Sequence, residues 1–236
     1  VSRLIRGMDG VVLMAGRTLA IGDVHGCHRA LVTLLGVLAL TPDDTVVFVG
    51  DAVDRGPSSK QVVDQILALR DECEVIFITG NHEEMMRDAI SGRGLFNQWL
   101  ENGGRATLDS YGGSIEDIPP EHIRFLVTGR PFWETDTDIF VHASLESDIS
   151  LPNQTSDFLR WKHLGGSEQP HVSGKRVICG HTSQTDGVPL VLDGWVCIDT
   201  FPHGGKWLTC LDVETNHVVQ ASETGEIRDF PLSKYS

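Results

Sequence analysis

The sequence predicts an α/β fold, in which strands and helices alternate through the first ninety residues and strand hairpins dominate after about residue 130. Three observations lead there. Short, continuous apolar runs, the pattern of strands buried on both faces, recur at 19–21, 46–49, 75–78, 139–141 and 177–179. Between the early runs the apolar residues shift to helical spacing. Every run also ends at side chains able to bind a metal: Gly22-Asp23-Val24-His25-Gly26, Gly50-Asp51, Gly80-Asn81-His82, His142 and Gly180-His181. Ligands of open α/β sheets gather beyond the carboxyl ends of the strands. Strands that release Asp, His, Asp, Asn, His and His along one edge read as the wall of a metal centre.

Each element follows from local pattern. Residues 27–39 read as an amphipathic helix with Cys27, Ala30, Leu31, Leu34, Leu35 and Leu38 in one stripe, and 58–70 as another with Val62, Val63, Ile66 and Leu67 on one face. A helix is expected from about Glu83, then a short one around Trp99 followed by a glycine-rich loop to Gly113. Pro119-Pro120-Glu121-His122 opens a further helix that ends near Gly129-Arg130-Pro131. Strands are expected at 137–143, 175–179, 190–199, 206–213 and 218–221, with turns at Asp193-Gly194 and Thr215-Asn216. The long polar stretch 145–174 is a candidate functional loop over the site. No repeat, heptad pattern or low-complexity segment divides the chain, so a single domain over 1–236 is expected, with a core of about 18–221 and peripheral tails.

Spacing assigns chemistry. Asp23 and His25, two apart at a strand end, project to the same side and can hold one ion together. Asn81 and His82 are adjacent; in an extended loop one faces a metal and the other a substrate. Gly50-Asp51-Ala52-Val53-Asp54-Arg55-Gly56 adds a second carboxylate and an arginine, whose planar fork suits phosphate oxygens. Singly, each has a plainer reading. A lone Asp or His at a strand end is commonly a turn former or a core residue with its hydrogen bonds met. Asn-His-Glu also fits a helix N-terminus with Glu83 and Glu84 in its first turn. Joint recurrence in one strand context favours the metal.

Gly-Asp-Val-His-Gly at 22–26, Gly-Asp-Ala-Val-Asp-Arg-Gly at 50–56 and Gly-Asn-His-Glu at 80–83 resemble the three signature motifs of the phosphoprotein phosphatase family of calcineurin-like metallophosphoesterases. Val-His-Ala at 141–143, Gly-His-Thr at 180–182 and Ile-Asp-Thr at 198–200 extend the resemblance. Glu83-Glu84-Met85-Met86 and Trp99-Leu100-Glu101-Asn102-Gly103-Gly104 are similar to the compact bacterial and phage branch. The resemblance spans about residues 18–212 and implies a metallophosphoesterase β-sandwich of two mixed sheets flanked by helices, with a dinuclear metal site at one rim. It implies Asp23, His25 and a bridging Asp51 on one ion, and Asp51, Asn81, His142 and His181 on the other. It further implies His82 as general acid, Asp54 as its orienting carboxylate, and Arg55 and Asn81 at the phosphate.

The chemistry is consistent with these roles. Two divalent ions against Asp23 and Asp51 leave roughly two net positive charges, a partner for a phosphate dianion. Ions bridged about 3.5–4 Å apart activate a nucleophile and stabilise an in-line displacement, and a histidine near neutrality protonates the leaving oxygen. An all-N/O ligand set suits manganese, with iron or zinc as alternatives. One segment departs from the pattern. Compact relatives tend to place an arginine two residues after a tryptophan, whereas Phe158-Leu159-Arg160-Trp161-Lys162-His163 puts His163 there. Arg160, Lys162 and His163 therefore stand as candidates for the second phosphate-binding cation. Ser144 also replaces the glycine of the family's His-Ala-Gly.

The net charge of −14, with 40% apolar and 22% charged residues, fits a soluble globular protein and argues against nucleic acid or anionic membrane as the main partner. No apolar run approaches the ~18 residues of a membrane span, and 11–15 is too short for a secretory core. Cys27, Cys73, Cys179, Cys197 and Cys210 are odd in number and unclustered, which points to buried thiols in a reducing, cytoplasmic setting. His28, His122, His171 and His217 are expected to be solvated or structural, and His203 structural in preference to lining the cleft. The activity expected is metal-dependent phosphomonoester hydrolysis by a monomeric serine/threonine, or dual-specificity, protein phosphatase acting on phosphorylated protein or small phosphomonoesters. One alternative is a symmetrical bis(5'-nucleosyl)-tetraphosphate hydrolase, against which stand Glu83, in place of that branch's aspartate, and a shorter middle region. The other is a pseudophosphatase scaffold, against which stands the full ligand set.

Overall fold

Strand-helix alternation builds the first half. A computed structural model of the protein describes residues 4–6, 12–14, 16–93 and 96–235. A small antiparallel pair, β1 (Leu4–Arg6) and β2 (Val12–Met14), precedes β3 (Thr18–Ile21), α1 (His28–Leu38), β4 (Thr45–Phe48), α2 (Ser59–Leu69), β5 (Glu74–Phe77) and α3 (Asn81–Ile90). Of the apolar run at 11–15, Val11 and Ala15 lie outside the described residues. Next come α4 (Phe96–Trp99), a π-helical turn (Leu100–Gly104), α5 (Arg105–Tyr111) and α6 (Pro120–Val127). The second half holds β6 (Phe132–Glu134), β7 (Asp138–Val141), α7 (Ser156–Trp161), β8 (Arg176–Cys179), β9 (Leu190–Leu192), β10 (Trp195–Cys197), β11 (Leu208–Asp212), β12 (His217–Ala221) and β13 (Ile227–Pro231).

Two mixed sheets result, ordered β13-β12-β11-β3-β4-β5 and β6-β7-β8-β10-β9. Their packing explains the continuous apolar runs. Alternate residues Ala20, Val47, Val49, Ile76 and Ile78 face Phe140, Ile178, Val196 and Ile198 across the sandwich. Their neighbours Leu19, Ile21, Val46 and Phe48 face outward onto Ala30, Leu31 and Leu34 of α1 and Val62, Val63 and Ile66 of α2. On the outer face of the other sheet, Ile139, Val141, Val177 and Trp195 pack with Leu145, Leu151 and Leu159. Both faces of the central strands are therefore covered, as α/β architecture requires.

Several elements differ from expectation. The stretch after Trp99 is helical, not a loop: Gly103, at φ 115°, turns α4 into α5, and Gly104 lies so close to the Trp99 ring that a Cβ would sit 2.4 Å from it. The glycines that signalled a loop serve close packing instead. Helix α3 begins at Asn81, not Glu83, so Asn81 and His82 diverge by helical rotation, not loop extension. The 190–199 stretch does follow expectation, as a hairpin of β9 and β10 that reverses at Asp193-Gly194. Beyond residue 221, β13 adds an edge strand to the larger sheet and buries Phe230. Its other residues are exposed, which is why alternation does not reveal it. The 145–174 connection contains α7 and packs against the smaller sheet. All five cysteines are buried and free, and no described helix is long and apolar enough to cross a membrane.

The sheets come together at Gly22, just past β3, where a Cβ would meet the Ile198 carbonyl oxygen at 2.2 Å. Gly22→Ala must part backbone from backbone, an overpacking cost on the order of 1–3 kcal/mol. Thermal melts should show Tm falling by several degrees, at about 2–4 °C per kcal/mol for a domain of this size. An unchanged Tm would mean that the close approach is not rigid.

Candidate metal centre

Asp51, at φ 50° just beyond β4, is the hub of the rim. Its Oδ2 lies 3.5 Å from His25 Nε2 and 3.4 Å from His142 Nε2, and its Oδ1 accepts from the His82 backbone N–H at 3.1 Å. Asn81 Oδ1 lies 2.9 Å from His142 Nε2 and 3.0 Å from His181 Nδ1. Two groups of potential ligands share Asp51: His25, Asp51 and His82, and Asp51, His142 and His181.

The other nitrogen of each histidine explains the arrangement. His25 Nδ1 lies 2.9 Å from the Val53 carbonyl, His142 Nδ1 2.9 Å from the Val49 carbonyl, and His181 Nε2 3.1 Å from the Trp161 carbonyl. A carbonyl only accepts, so each of these nitrogens carries the proton. The remaining nitrogens then turn lone pairs toward Asp51 or Asn81 oxygens, which are themselves acceptors. A cation between them resolves the conflict, and a backbone carbonyl behind the ring is how metal-binding histidines are usually held.

Charge points the same way. Asp23, Asp51, Glu83 and Asp199 are all buried. Burial, then the Asp199 and Asp51 charges, push the Asp23 carboxyl well above its usual range. Burial also raises Glu83, to about 7, with Asp51 adding to the effect. Asp51 is held well below the carboxylate range: burial opposes its charge, but positive charge on the His142, His82 and His25 rings, which a bound cation would replace, outweighs it. His25 is driven well below neutrality by burial against the pull of Asp51. Divalent cations fit this donor set of carboxylate, amide and neutral imidazole.

Not every expected residue faces the hub. Asp23 lies outside both ligand groups, its carboxylate accepting from the His181 backbone N–H at 3.0 and 3.3 Å. Arg160 is not among the residues that line the cleft: its guanidinium is engaged by Glu84 at 3.0 Å and by Ser156. Trp161 also donates to Glu84, at 2.7 Å, so this segment ties α7 to α3. His163 does line the cleft, stacked on His181 with ring centroids 4.2 Å apart. The cleft has a volume of about 430 Å³ and is also walled by Arg55, Asn102, Trp161, Thr182 and Ser183.

His82 and Asp54 form a buried pair, Nδ1 to Oδ2 at 2.8 Å. Asp54 also accepts from Trp99 Nε1 at 3.0 Å and Thr107 Oγ1 at 2.7 Å. Burial lowers the His82 pKa, but Asp51 and Asp54 more than reverse this and leave it raised. Arg55, in a left-handed conformation at φ 68°, donates its backbone N–H to Gly103 O at 3.2 Å, while Nη1 lies 3.4 Å from His203 Nε2. Arginine only donates, so His203 accepts there. Burial, with Arg55 and His82 adding to it, pushes His203 down to about 4. His203 thus touches the site, with its ring edge on His25 at 4.7 Å, against the structural reading of its sequence.

Sequence reasoning also missed Thr107 and the part played by Glu83. The Glu83 side chain accepts from the backbone N–H groups of Asp51, Ala52 and Gly80 at 3.0, 2.9 and 2.9 Å, pinning the β4 and β5 loops together. Its sequence signals are its place in the first turn of α3 and at the end of Gly-Asn-His-Glu, and neither shows that it joins the two loops.

A sandwich with this rim is the architecture of a metal-dependent phosphoester hydrolase. The model of the calcineurin-like phosphoesterase family matches residues 16–192, and the chain belongs to that family. It is similar to the asymmetrical bis(5'-nucleosyl)-tetraphosphatase PrpE of Anoxybacillus flavithermus, 26% identical over 86% of this chain and 93% of that one. Serine/threonine-protein phosphatase 1 of Salmonella typhimurium is 40% identical, over 36% of this chain and 37% of its own. Among solved structures, a putative diadenosine tetraphosphatase superposes with a TM-score of 0.65 at 20% identity, covering 92% of this chain and 94% of that one.

Because Asp51 belongs to both ligand groups, Asp51→Asn should weaken the whole centre. After loading with manganese and dialysis, elemental analysis should find at least about tenfold less metal in the variant, the scale of losing a ligand or its support. Full metal content in Asp51→Asn would contradict the hub.

Proposed function

We propose that this chain hydrolyses phosphoesters at two divalent ions, one held by Asp23, His25 and Asp51 and the other by Asp51, Asn81, His142 and His181. The observation that carries this reading is the set of three imidazoles, each protonated toward a backbone carbonyl and turning a lone pair to Asp51 or Asn81. Manganese suits the donor set, with iron or zinc as alternatives. Bound there, such ions polarise phosphoryl oxygens and lower the pKa of an attacking water.

The chain's own groups do the rest. Arg55 clamps the phosphoryl oxygens from the side, steadied by the Gly103 carbonyl at its backbone and by His203 at its guanidinium. Asn81 and His163 add polar contacts at the cleft. His82 gives the leaving oxygen a proton from Nε2, because Nδ1 is committed to Asp54. Trp99 and Thr107 hold Asp54 and so hold His82.

For the substrate, charge is the guide. Arg55 is the one arginine or lysine among the described residues lining the cleft, and Arg160 is turned away. One arginine beside two ions suits a single phosphoryl group, hence a phosphomonoester of a protein, on serine, threonine or tyrosine, or of a small molecule. The local likeness to a serine/threonine-protein phosphatase supports this. A second reading, hydrolysis of bis(5'-nucleosyl) tetraphosphates, is favoured by the PrpE alignment over most of the chain, although that relative is of the asymmetrical type and not the symmetrical one. Trp161, 40% exposed at the cleft, offers a ring on which a base can stack. The chain acts as one domain and as a monomer in this proposal, and its free thiols fit a reducing, cytoplasmic setting. Rates on phosphopeptides, nitrophenyl phosphate and diadenosine tetraphosphate separate the readings: faster turnover of the dinucleotide would replace the first by the second.

His82→Asn tests the proton donor. With an alkyl phosphate, kcat should fall by roughly 10²–10⁴, while nitrophenyl phosphate, whose leaving group needs little protonation, should lose much less. Metal content should stay the same. Equal losses on both substrates, or loss of metal, would make His82 a ligand and not an acid.

A further inference from the structure

Among the described residues, strand β5 is the last strand of its sheet, and one of its edges has no strand beside it. On the paired side Glu74 donates to Asp44 and Ile78 to Phe48, so residues 75, 77 and 79 direct their backbone groups outward. The chain covers the downstream part of that edge itself: Arg130 N–H donates to the Phe77 carbonyl at 2.8 Å, and Thr79 N–H donates to the Arg130 carbonyl at 2.9 Å. Upstream, the N–H and carbonyl of Val75 and the N–H of Phe77 have no hydrogen-bond partner among the described residues.

These groups open into a groove of about 360 Å³ between the end of α2 and α6, separate from the metal cleft. Its floor is apolar, with Leu67, Val75 and the tilted rings of Phe77 and Phe125, 4.8 Å between centroids. Arg70, Arg124 and Arg130 line it and are exposed. The ion pairs of the described residues engage Arg17, Arg87, Arg160 and Arg176 but none of these three. Arg70 sits over the Phe125 ring at 6.0 Å, and Glu121 is the one acidic residue of the lining. On a chain of net charge −14, this is a local excess of positive charge.

We propose that the groove docks an extended acidic segment of a partner protein, which adds a strand to the free edge of β5 and sets its carboxylates against Arg70, Arg124 and Arg130. The edge selects a peptide over a small anion. An anion can accept from the Val75 and Phe77 N–H groups but leaves the Val75 carbonyl unpaired, whereas a peptide backbone supplies both donor and acceptor. The arginines select the charge of the incoming side chains, and the apolar floor of Phe77 and Phe125 receives the apolar residues that alternate with them. Natural edge strands are usually blunted by a covering loop, lysine or proline; here, among the described residues, the chain covers the edge only at residues 77–79. Past Phe77 the same strand runs directly into Asn81 and His82, so a docked segment lies against the strand that delivers them.

The test uses the full chain and a short synthetic peptide alternating Glu with Val, with a Lys-Val peptide as control. The acidic peptide should bind by fluorescence anisotropy and should slow amide exchange at Val75 and Phe77. Arg124→Glu and, as an independent variant, Arg70→Glu should each weaken binding by about tenfold or more. Hydrolysis of nitrophenyl phosphate should be unchanged in both, because neither residue lies in the metal cleft. Four results would overturn the proposal: no binding, equal binding of the Lys-Val peptide, binding without slower exchange at Val75 and Phe77, or displacement of the peptide by inorganic phosphate at equal concentration. The last would make the groove a small-anion site.

Discussion

Five carboxylates, Asp23, Asp51, Asp54, Glu83 and Asp199, are buried at one rim of the sandwich, and the surrounding architecture manages their charge. Burying an ionised carboxylate without compensation is costly enough that the group normally neutralises instead. Glu83 is held by three backbone N–H groups, Asp51 by the His82 backbone N–H, Asp54 by His82, Trp99 and Thr107, Asp23 by the His181 N–H, and Asp199 by Ser183 and the Phe201 N–H. These donors position the carboxylates but do not neutralise them. Divalent cations at Asp51 would supply the missing charge, which would make the fold and the candidate metal centre one electrostatic problem.

The backbone meets that demand with local strain. His25, Asp51, Asp54, Arg55 and His181 all have positive φ, a conformation that non-glycine residues adopt at a cost. Such strain persists only where surrounding contacts over-determine it, and they do. Val24 and His25 donate to the Asp51 carbonyl, Gly56 donates to the His25 carbonyl, and Arg55 donates to Gly103. The loops after β3 and β4 therefore hold one another, and α5 braces the second through Thr107.

Much of this was legible in the sequence. Runs buried on both faces read as uninterrupted apolar stretches, so the strands that bear the candidate ligands were legible, and residues beyond their carboxyl ends come to one rim. What escaped was decided by contacts between segments distant in sequence. Thr107 matters because α5 reaches Asp54, and Gly103-Gly104 looked like a loop because close packing on Arg55 and Trp99 uses the same residue type as a turn. Arg160 looked like a phosphate ligand from its position alone, but Glu84 on a different helix claims it. β13 escaped because an edge strand with one buried residue, Phe230, carries almost no alternation.

The central claim is that Asp51 joins two cation sites. The most direct measurement is anomalous diffraction from manganese-loaded crystals of the unmodified chain. The account predicts two peaks, one on either side of the Asp51 carboxylate, with His25 beside the first and His142 and His181 beside the second. A single peak, or peaks that leave Asp51 uncoordinated, would contradict it.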